Sequence, residues 1–233
     1  MLNKILGKRL AFITAHPDDE SVLATGLILL NKQAKGENSL FCASLGGKGS
    51  GYLKNSAHKL KIKDFRKKEL SDAMKYLGIK KFQVENFPDS KIKEHKINLK
   101  KKIFEFLSKT KPEVLVSFSK DGFTGHADHI IVGEVAKEFA KAMKIKFVEF
   151  SRPPLTHFPD LHQHLIKKRK NGSYGKFILK DYKSVFCVSV ESKKKLRALK
   201  IYKTQFLGIN PHNIFPKHIA EHVLKNEYFR VVK

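Results

Sequence analysis

Two short clusters of histidine and aspartate contain the residue types that could do chemistry together. The first is AHPDDE at residues 15–20, and the second is GHADH at residues 125–129. Each follows an apolar run typical of a buried strand, LAFIT before the first and EVLVSFS before the second. Because ligands bind where parallel strands of an open sheet end, we expect both clusters at one edge of one sheet.

The residue types fit a catalytic zinc site. Such a site takes three nitrogen or oxygen ligands from the protein and keeps a fourth position for water. His16 and Asp19 are three residues apart and can converge from one turn, and His129 can reach the same point from the second cluster. Asp18 then lies beside the metal without being needed as a ligand. We therefore predict that Asp18 is the general base that activates water.

The other polar residues of the second cluster have supporting roles in this interpretation. His126 is available to stabilise a developing oxyanion or to protonate the leaving group. Asp128 is available to orient one of the histidines. Zinc is the expected metal, and another divalent ion such as iron is the alternative, because affinity order and availability both decide which metal binds.

Simpler structural explanations exist for the same residues. A lone His16 is typical of a strand-end histidine bonded to backbone, and consecutive acids are typical of a helix start, where the macrodipole favours them. GHADH is typical of an N-terminal cap with surface histidines. The coincidence of two such clusters at one predicted sheet edge favours the metal site.

Strand-like and helix-like segments alternate along the chain. The run SLFCASL at 39–45 predicts a strand. Residues 20–32, 61–77 and 92–109 each predict a helix, and Gly78 ends the second of them. This alternation predicts an α/β fold, Rossmann-like, with a mostly parallel sheet and helices on both faces. We expect a single domain over residues 1–233. Prolines and glycines break the rhythm at residues 152–182, which we interpret as an irregular insertion or rim loop.

The chain is strongly basic. Its 47 Lys and Arg residues outnumber its 22 Asp and Glu residues, which gives a formal net charge of +25. Such a charge favours anionic partners, either an anionic small molecule or glycoconjugate as substrate, or an anionic membrane surface contacted peripherally. No specific nucleic-acid partner is predicted, because most of the excess is lysine, a poorer specific reader than arginine.

Cysteine content and hydropathy bear on the compartment. Cys42 and Cys187 each lie in a strand-like run and are expected to be reduced core thiols. Because no disulfide framework is indicated, a cytoplasmic chain is the expectation. No window approaches the roughly 20 apolar residues of a membrane span.

The two clusters and their order resemble the LmbE/PIG-L family of zinc-dependent N-acetylglucosaminyl deacetylases. Residues 66–69, in a helix ending in LG, resemble the family's RxxE helix. Residues 195–205, KLRALKIYKTQ, resemble its late helix with a closing Ser/Thr-Gln. The resemblance covers about residues 9–207.

The resemblance implies a Rossmann-like fold and a role for each matching residue. It implies that zinc is bound by His16, Asp19 and His129. It implies that Asp18 activates water, and that His126 is the oxyanion stabiliser or acid with Asp128 behind it. Arg66 is placed near the substrate sugar or its anionic group, although an Arg-x-x-Glu pair is also typical of a solvated ion pair.

Two positions depart from the family pattern. Lys48 stands where the family often has an acidic residue, and Tyr202 stands where a histidine is frequent. Both changes bear on the identity of the substrate more than on the metal site.

The predicted function is removal of an acetyl group from an N-acetylated amino sugar, an N-acetylglucosamine-type conjugate, with water activated by zinc and Asp18. One alternative is a metal-dependent amidase that acts on another acylated amine or on a thiol conjugate. A second alternative is a nonenzymatic binder of nucleic acid or anionic membrane, driven by the net charge of +25.

Overall fold

One seven-stranded sheet organises the molecule. The computed structural model describes residues 1–49, 61–154, 159–160, 163, 166–167, 185–206 and 217–232. The strands are β1 Arg9–Thr14, β2 Glu37–Cys42, β3 Lys81–Val84, β4 Val114–Phe118, β5 Lys146–Ser151, β6 Val185–Ser189 and β7 Asn226–Val232. The helices are α1 Asp19–Leu23, α2 Thr25–Gln33, α3 Ile62–Leu77, α4 Lys96–Thr110, α5 Gly122–Gly125, α6 Ala127–Ala142, α7 Ser192–Ile201, α8 Lys203–Phe206 and α9 Lys217–Lys225, with 3₁₀ turns at Leu2–Lys4 and Ile92–His95.

The strand order β3-β2-β1-β4-β5-β7-β6 confirms the predicted α/β fold with a mostly parallel sheet. Strands β1 to β5 are parallel, and β7 runs antiparallel between β5 and β6. The chain winds outward from β1 to β3 and then returns to place β4 on the other side of β1. Right-handed crossovers put the helices of the two halves on opposite faces of the sheet. The strands between which the winding direction changes are therefore β1 and β4, the strands that precede the two His/Asp clusters.

The central strands are buried on both faces, as parallel strands covered by helices must be. In β1 every residue after Arg9 is buried, and in β4 all five residues are buried. The predicted helix at residues 61–77 is confirmed as α3, and Gly78 ends it with a φ of 75°. Such a left-handed C-cap favours glycine because it has no Cβ.

Two predicted helices are divided in the structure. The helix predicted from Glu20 to Lys32 is broken at Ala24, and α2 begins at Thr25. The Glu227 carboxylate accepts from the N–H groups of Gly26 at 2.9 Å and Leu27 at 3.2 Å, so it satisfies the start of α2. The helix predicted at 92–109 begins instead with the 3₁₀ turn before α4.

The C-terminal segment ending EYFRVV had no strand assigned to it from the sequence, yet it forms β7. The expectation of two core thiols is half right: Cys42 is buried, whereas Cys187 is exposed. Cys187 lies on β6, at the edge of the sheet. Most of the predicted insertion at 152–182, including His157, His162 and His164, lies outside the described residues. Among the described helices, none combines the length and the hydropathy that a bilayer crossing requires.

Candidate functional site

The two predicted clusters meet beyond the ends of β1 and β4. The Nδ1 atom of His16 lies 3.3 Å from the Nε2 atom of His129. The same Nε2 atom lies 3.4 Å from the Oδ1 atom of Asp19. Nε2 of His129 therefore lies within 3.4 Å of a nitrogen of His16, 113 residues away in sequence, and of a carboxylate oxygen of Asp19.

The other nitrogen of each imidazole is already bonded. His129 donates from Nδ1 to the carbonyl oxygen of Gly122 at 3.0 Å. His16 donates from Nε2 toward the carboxylates of Asp128 at 3.2 Å and Asp89 at 3.4 Å. In the neutral form of each ring, the nitrogen that faces the shared point is therefore the unprotonated one. This is how second partners fix the tautomer of metal-binding histidines.

The backbone of the first cluster holds the Asp19 carboxylate in place. Oδ2 of Asp19 accepts from the N–H of Ala15 at 3.1 Å and from the N–H of His16 at 2.8 Å. Oδ1 is thus left facing His129. His129 lies in the first turn of α6, and its ring stacks on Phe118 at the end of β4, with centroids 4.0 Å apart. Strand ends and helix starts together fix these side chains.

Charge in the cluster favours a bound cation. Burial by itself lowers the pKa of His16, but Asp128, Asp89 and Asp19 raise it to about 10. Burial opposes ionisation of Asp19, yet the adjacent His129 and His16 hold its pKa well below its usual range. Two imidazoles and a carboxylate are a donor set of catalytic zinc, so the residues present fit a divalent metal. Ligand atoms of His16, His126 and His129 also lie within 4.8 Å of one another, which places His126 beside anything bound there.

Asp18 is the N-cap of α1, with a φ of 113° in the left-handed region. A non-glycine residue in such a conformation costs about 1–3 kcal/mol, so surrounding contacts must hold it. Arg66 supplies them: one guanidinium nitrogen, Nη2, donates to the carbonyl of Pro17 and lies 3.5 Å from Oδ1 of Asp18. Burial raises the pKa of Asp18 to about 7, although the Arg66 charge lowers it.

Arg66 is placed differently from the sequence expectation. Its side chain lines the cavity but is buried, and Nη1 donates to the carbonyl of Gly46 at 3.0 Å. The guanidinium thus joins the loop after β1 to the loop after β2, rather than being held open for a substrate anion. Arg66 also does not form a solvated pair with Glu69. The Glu69 carboxylate instead accepts from the N–H of Thr204 at 2.8 Å and from its hydroxyl at 2.6 Å.

Asp128 lies behind His16 rather than behind His126. Its carboxylate accepts from the N–H of Ser90 at 2.6 Å and that of Ile92 at 3.1 Å, besides contacting His16. His126 is the N-cap of α6, and its Nδ1 accepts from the N–H of Asp128 at 3.2 Å. The capping explanation and the site explanation therefore both apply to His126. Burial and the nearby His129 lower its pKa, which favours a neutral ring whose Nε2–H is available to the cavity it lines.

Sequence reasoning missed Asp89. It follows β3, so it reaches the same sheet edge as the two clusters, and Oδ2 accepts from the N–H of Lys48 at 2.9 Å. Burial opposes its ionisation, but His16 holds the pKa of Asp89 well below its usual range. A lone acid in FPDS carries no spacing signal. Its position after the third strand of a parallel sheet is the clue that could have identified it.

The departure at Tyr202 has a structural explanation. Tyr202 is fully buried, and its hydroxyl donates to Oε1 of Glu20 at 2.6 Å. Glu20, the third acid of the first cluster, is therefore bound to the C-cap residue of α7. It is not bonded to the candidate metal-binding group, which consists of His16, Asp19 and His129.

A cavity of about 600 Å³ opens on the metal-binding group. One side carries His16, Asp18, Asp19, His126 and His129. Another side is built by α9 and β7, which contribute His222, Val223 and Tyr228. Sequence reasoning missed this second wall because residues 217–232 contain no motif and no matched spacing.

Known protein families and structures include relatives of this chain. The sequence profile of the PIG-L family, described as GlcNAc-PI de-N-acetylase, matches residues 11–140. The chain is 26% identical over 162 residues to a 1D-myo-inositol 2-acetamido-2-deoxy-alpha-D-glucopyranoside deacetylase of Corynebacterium urealyticum, with 58% of this chain and 48% of that protein covered. The chain thus spans about half the length of this relative.

A second relative is covered more fully. The chain is 29% identical over 162 residues to a probable N-acetyl-alpha-D-glucosaminyl L-malate deacetylase 2 of Bacillus cereus, with 69% of each chain covered. Among solved structures, the zinc-inhibited form of the teicoplanin deacetylase Orf2 superposes with a TM-score of 0.66 at 16% identity, over 96% of this chain and 97% of that one. At this identity the likeness shows a shared fold.

Proposed function

Because the chain belongs to the PIG-L family, we propose that it is a zinc-dependent N-deacetylase that acts on an N-acetylglucosamine-type conjugate. The observation that carries the proposal is the approach of His16 Nδ1, His129 Nε2 and Asp19 Oδ1, with the Asp18 carboxylate beside them in the same cavity. The proposed unit is one domain over residues 1–233.

In this proposal His16, Asp19 and His129 hold the metal. When bound, a divalent zinc supplies positive charge that polarises the acetamide carbonyl and lowers the pKa of water. Asp128 keeps His16 in the tautomer that leaves Nδ1 unprotonated, because its carboxylate accepts from Nε2 at 3.2 Å. The carbonyl oxygen of Gly122 accepts from Nδ1 of His129, which leaves Nε2 of that ring unprotonated in its neutral form.

Asp18 accepts the proton of the attacking water. Its pKa of about 7 suits a group that must take up a proton and then give it away near neutral pH. The Nε2–H of neutral His126 donates to the carbonyl oxygen as negative charge develops on it. The water oxygen bonds to the acetyl carbon, the C–N bond breaks, and Asp18 returns the proton to the amine. The products are acetate and an amino sugar.

The substrate class rests on the relatives. Their names specify N-acetylglucosamine joined to inositol or to malate. An anionic conjugate remains the prediction of the net charge, but the cations that line the described part of the cavity are largely paired. Arg152 binds Asp121, and Lys195 binds Glu227 at 3.0 Å. A cytoplasmic location and peripheral contact with an anionic membrane likewise remain predictions.

The test combines metal analysis with acetate release. Purified protein loaded with zinc should hold one metal per chain and release acetate from simple N-acetylglucosaminides. His129→Ala should lose both properties, because it removes the nitrogen that lies within 3.4 Å of both other proposed ligand atoms. His95→Ala, which changes a histidine of the 3₁₀ turn before α4, is the matched control and should retain both. Full metal content in His129→Ala would refute the ligand assignment.

The same assay distinguishes the proposed sugar deacetylase from the alternative amidase. If metal-loaded protein releases no acetate from the sugar panel but hydrolyses other acylated amines or thiol conjugates, the metal site stands and the sugar assignment is wrong. This distinction depends only on the substrate, because both reactions use the same residues on the cavity wall.

A further inference from the structure

The wall of the cavity formed by α9 and β7 lies outside the part of the chain that matches the family profile, residues 11–140. Its lining residues come from 217–232, and α1 and α7 complete it. The profile match therefore does not include this part of the wall. The cavity of about 600 Å³ also exceeds what one monosaccharide fills, so a substituent on the sugar has room there.

This wall is largely hydrocarbon. Five aliphatic side chains from three helices line it: Val22, Leu23, Leu199, Val223 and Leu224. Val22 is 37% exposed, so part of this residue is open to solvent. Apolar surface that faces a cavity favours a ligand that can cover it.

The polar groups of the wall are already bonded to one another. Nε2 of His222 lies 2.8 Å from the hydroxyl of Tyr228, and the two rings stack with centroids 5.7 Å apart. Asn226 donates to the carbonyl of His222 at 3.1 Å and accepts from the Cys187 thiol at 3.4 Å. Each of these polar groups therefore has a partner within the protein.

The charges of the wall are compensated inside the protein. Lys195 and Glu227 form a buried pair at 3.0 Å, and Glu227 also accepts from the N–H groups that begin α2. Arg152 donates to Asp121 and to the carbonyl of Phe123. To pair with Lys195 or Arg152, a phosphate or carboxylate would have to displace a buried carboxylate, which is costly.

We propose that this wall binds an uncharged, apolar group attached to the amino sugar, such as an aryl or alkyl aglycone. The inference rests on the proposed function for the position of the sugar. It departs from the anionic substrate that the net charge predicts, because the described charges at this wall are satisfied. The stacked His222 and Tyr228 rings offer an aromatic surface for such a group.

The test measures binding with ligands that have no acetyl group to lose. Zinc-loaded enzyme is titrated with the phenyl and methyl glycosides of glucosamine, each as both anomers, and with glucosamine 1-phosphate. We expect the phenyl glycoside to bind about tenfold more tightly than the methyl glycoside, because its ring covers apolar surface. The phosphate should bind no more tightly than the methyl glycoside. Equal binding of phenyl and methyl glycosides, or preference for the phosphate, would overturn the proposal.

A pair of variants on α9 ties the preference to the wall. Val223→Asn places a polar group in the cavity and should reduce the phenyl-to-methyl ratio severalfold. Lys225→Asn introduces the same residue type at an exposed position of the same helix and should leave the ratio as in the wild type. If both variants keep the wild-type ratio, α9 does not form the binding wall.

Acetate release from the corresponding N-acetyl compounds, measured in parallel, keeps the two proposals apart. Absence of acetate release from metal-loaded enzyme would refute the proposed deacetylase. The order of binding would still report on the wall, because none of the titrated ligands undergoes hydrolysis of an amide.

Discussion

Asp18 and Asp19 are neighbours in sequence with opposite electrostatic environments. Burial raises the pKa of Asp18 to about 7, whereas His129 and His16 hold that of Asp19 well below its usual range despite burial. Adjacent carboxyl groups whose pKa values are driven apart are suited to different tasks. These pKa values suit Asp19 to the proposed role of metal ligand and Asp18 to the proposed exchange of a proton near neutral pH.

Replacement of Asp18 tests this division. Asp18→Asn should lower kcat by at least about 100-fold, because it removes the general base. Zinc content should be unchanged, because the side chain at this position is not a metal ligand in the proposal. Asp72→Asn, at an exposed acid of α3, is the control and should match the wild type in both measurements. A fully active Asp18→Asn enzyme would show that another group takes the proton.

The pH profile tests the role of Arg66. Asp18 accepts a proton only when it is ionised, so kcat/KM should fall as the pH drops through its pKa. The Arg66 charge lowers that pKa, so Arg66→Met should move the acid limb of the profile to higher pH. Arg9→Met, at the opposite end of β1, should leave the limb in place. A raised KM with an unmoved limb would instead identify Arg66 as a substrate-binding residue.

Residue spacing in the sequence identified side chains that meet at the candidate site, but it did not identify the residues that each of them contacts. His16, Asp19 and His129 could be chosen because few structural needs place such residues after two strands. The partner of Asp128 could not be chosen, because its carboxylate turns toward His16 through contacts with Ser90 and Ile92, which are distant in sequence.

At the scale of elements, α6 carries the second cluster and must lie close to β4. Gly133 makes this possible, because a Cβ atom there would come within 2.5 Å of the backbone oxygen of Phe118. Phe118 is also the residue on which His129 stacks. The close approach of α6 to β4 thus fixes how far above the sheet His129, a proposed metal ligand, lies.

Gly133→Ala should therefore affect stability and metal binding together. The added methyl group meets backbone, which cannot rotate away, so we expect a loss of about 1–3 kcal/mol in the free energy of unfolding. Zinc affinity should also fall, because α6 is displaced with His129. Chemical denaturation and competition with a chelator measure the two effects. Lys141→Ala, on the exposed side of α6, should change neither; unchanged stability in Gly133→Ala would contradict the packing.

Sequence patterns of a few consecutive residues predicted those helices and strands whose ends depend only on neighbouring residues. Gly78 ends α3 as expected, because a C-cap depends on a few consecutive residues. The break before α2 and the strand β7 were not predicted, because each depends on Glu227 or its neighbours meeting residues far away in sequence, about 200 positions earlier for the start of α2. Periodicity within a short window contains no information about such a contact.

At the scale of the whole molecule, the charge of +25 and the metal site are separable properties. Removal of metal with a chelator should abolish acetate release, since three ligands of the proposed site lose their ion. Any binding to vesicles of anionic lipid should persist, and it should weaken as salt rises, because it depends on surface lysines. Cosedimentation with and without chelator measures this. Loss of vesicle binding on chelation would link the two properties and contradict this separation.

The place of β7 in the sequence determines when its part of the cavity is synthesised. The strand that separates β5 from β6 is the last one along the described chain, whereas the side chains proposed to hold the ion are all in place by residue 129. A nascent chain emerging from the ribosome presents those three side chains while β5 still has an open edge. In the two proposals, the residues assigned to the metal are therefore synthesised before α9 and β7, the elements of the wall assigned to the aglycone.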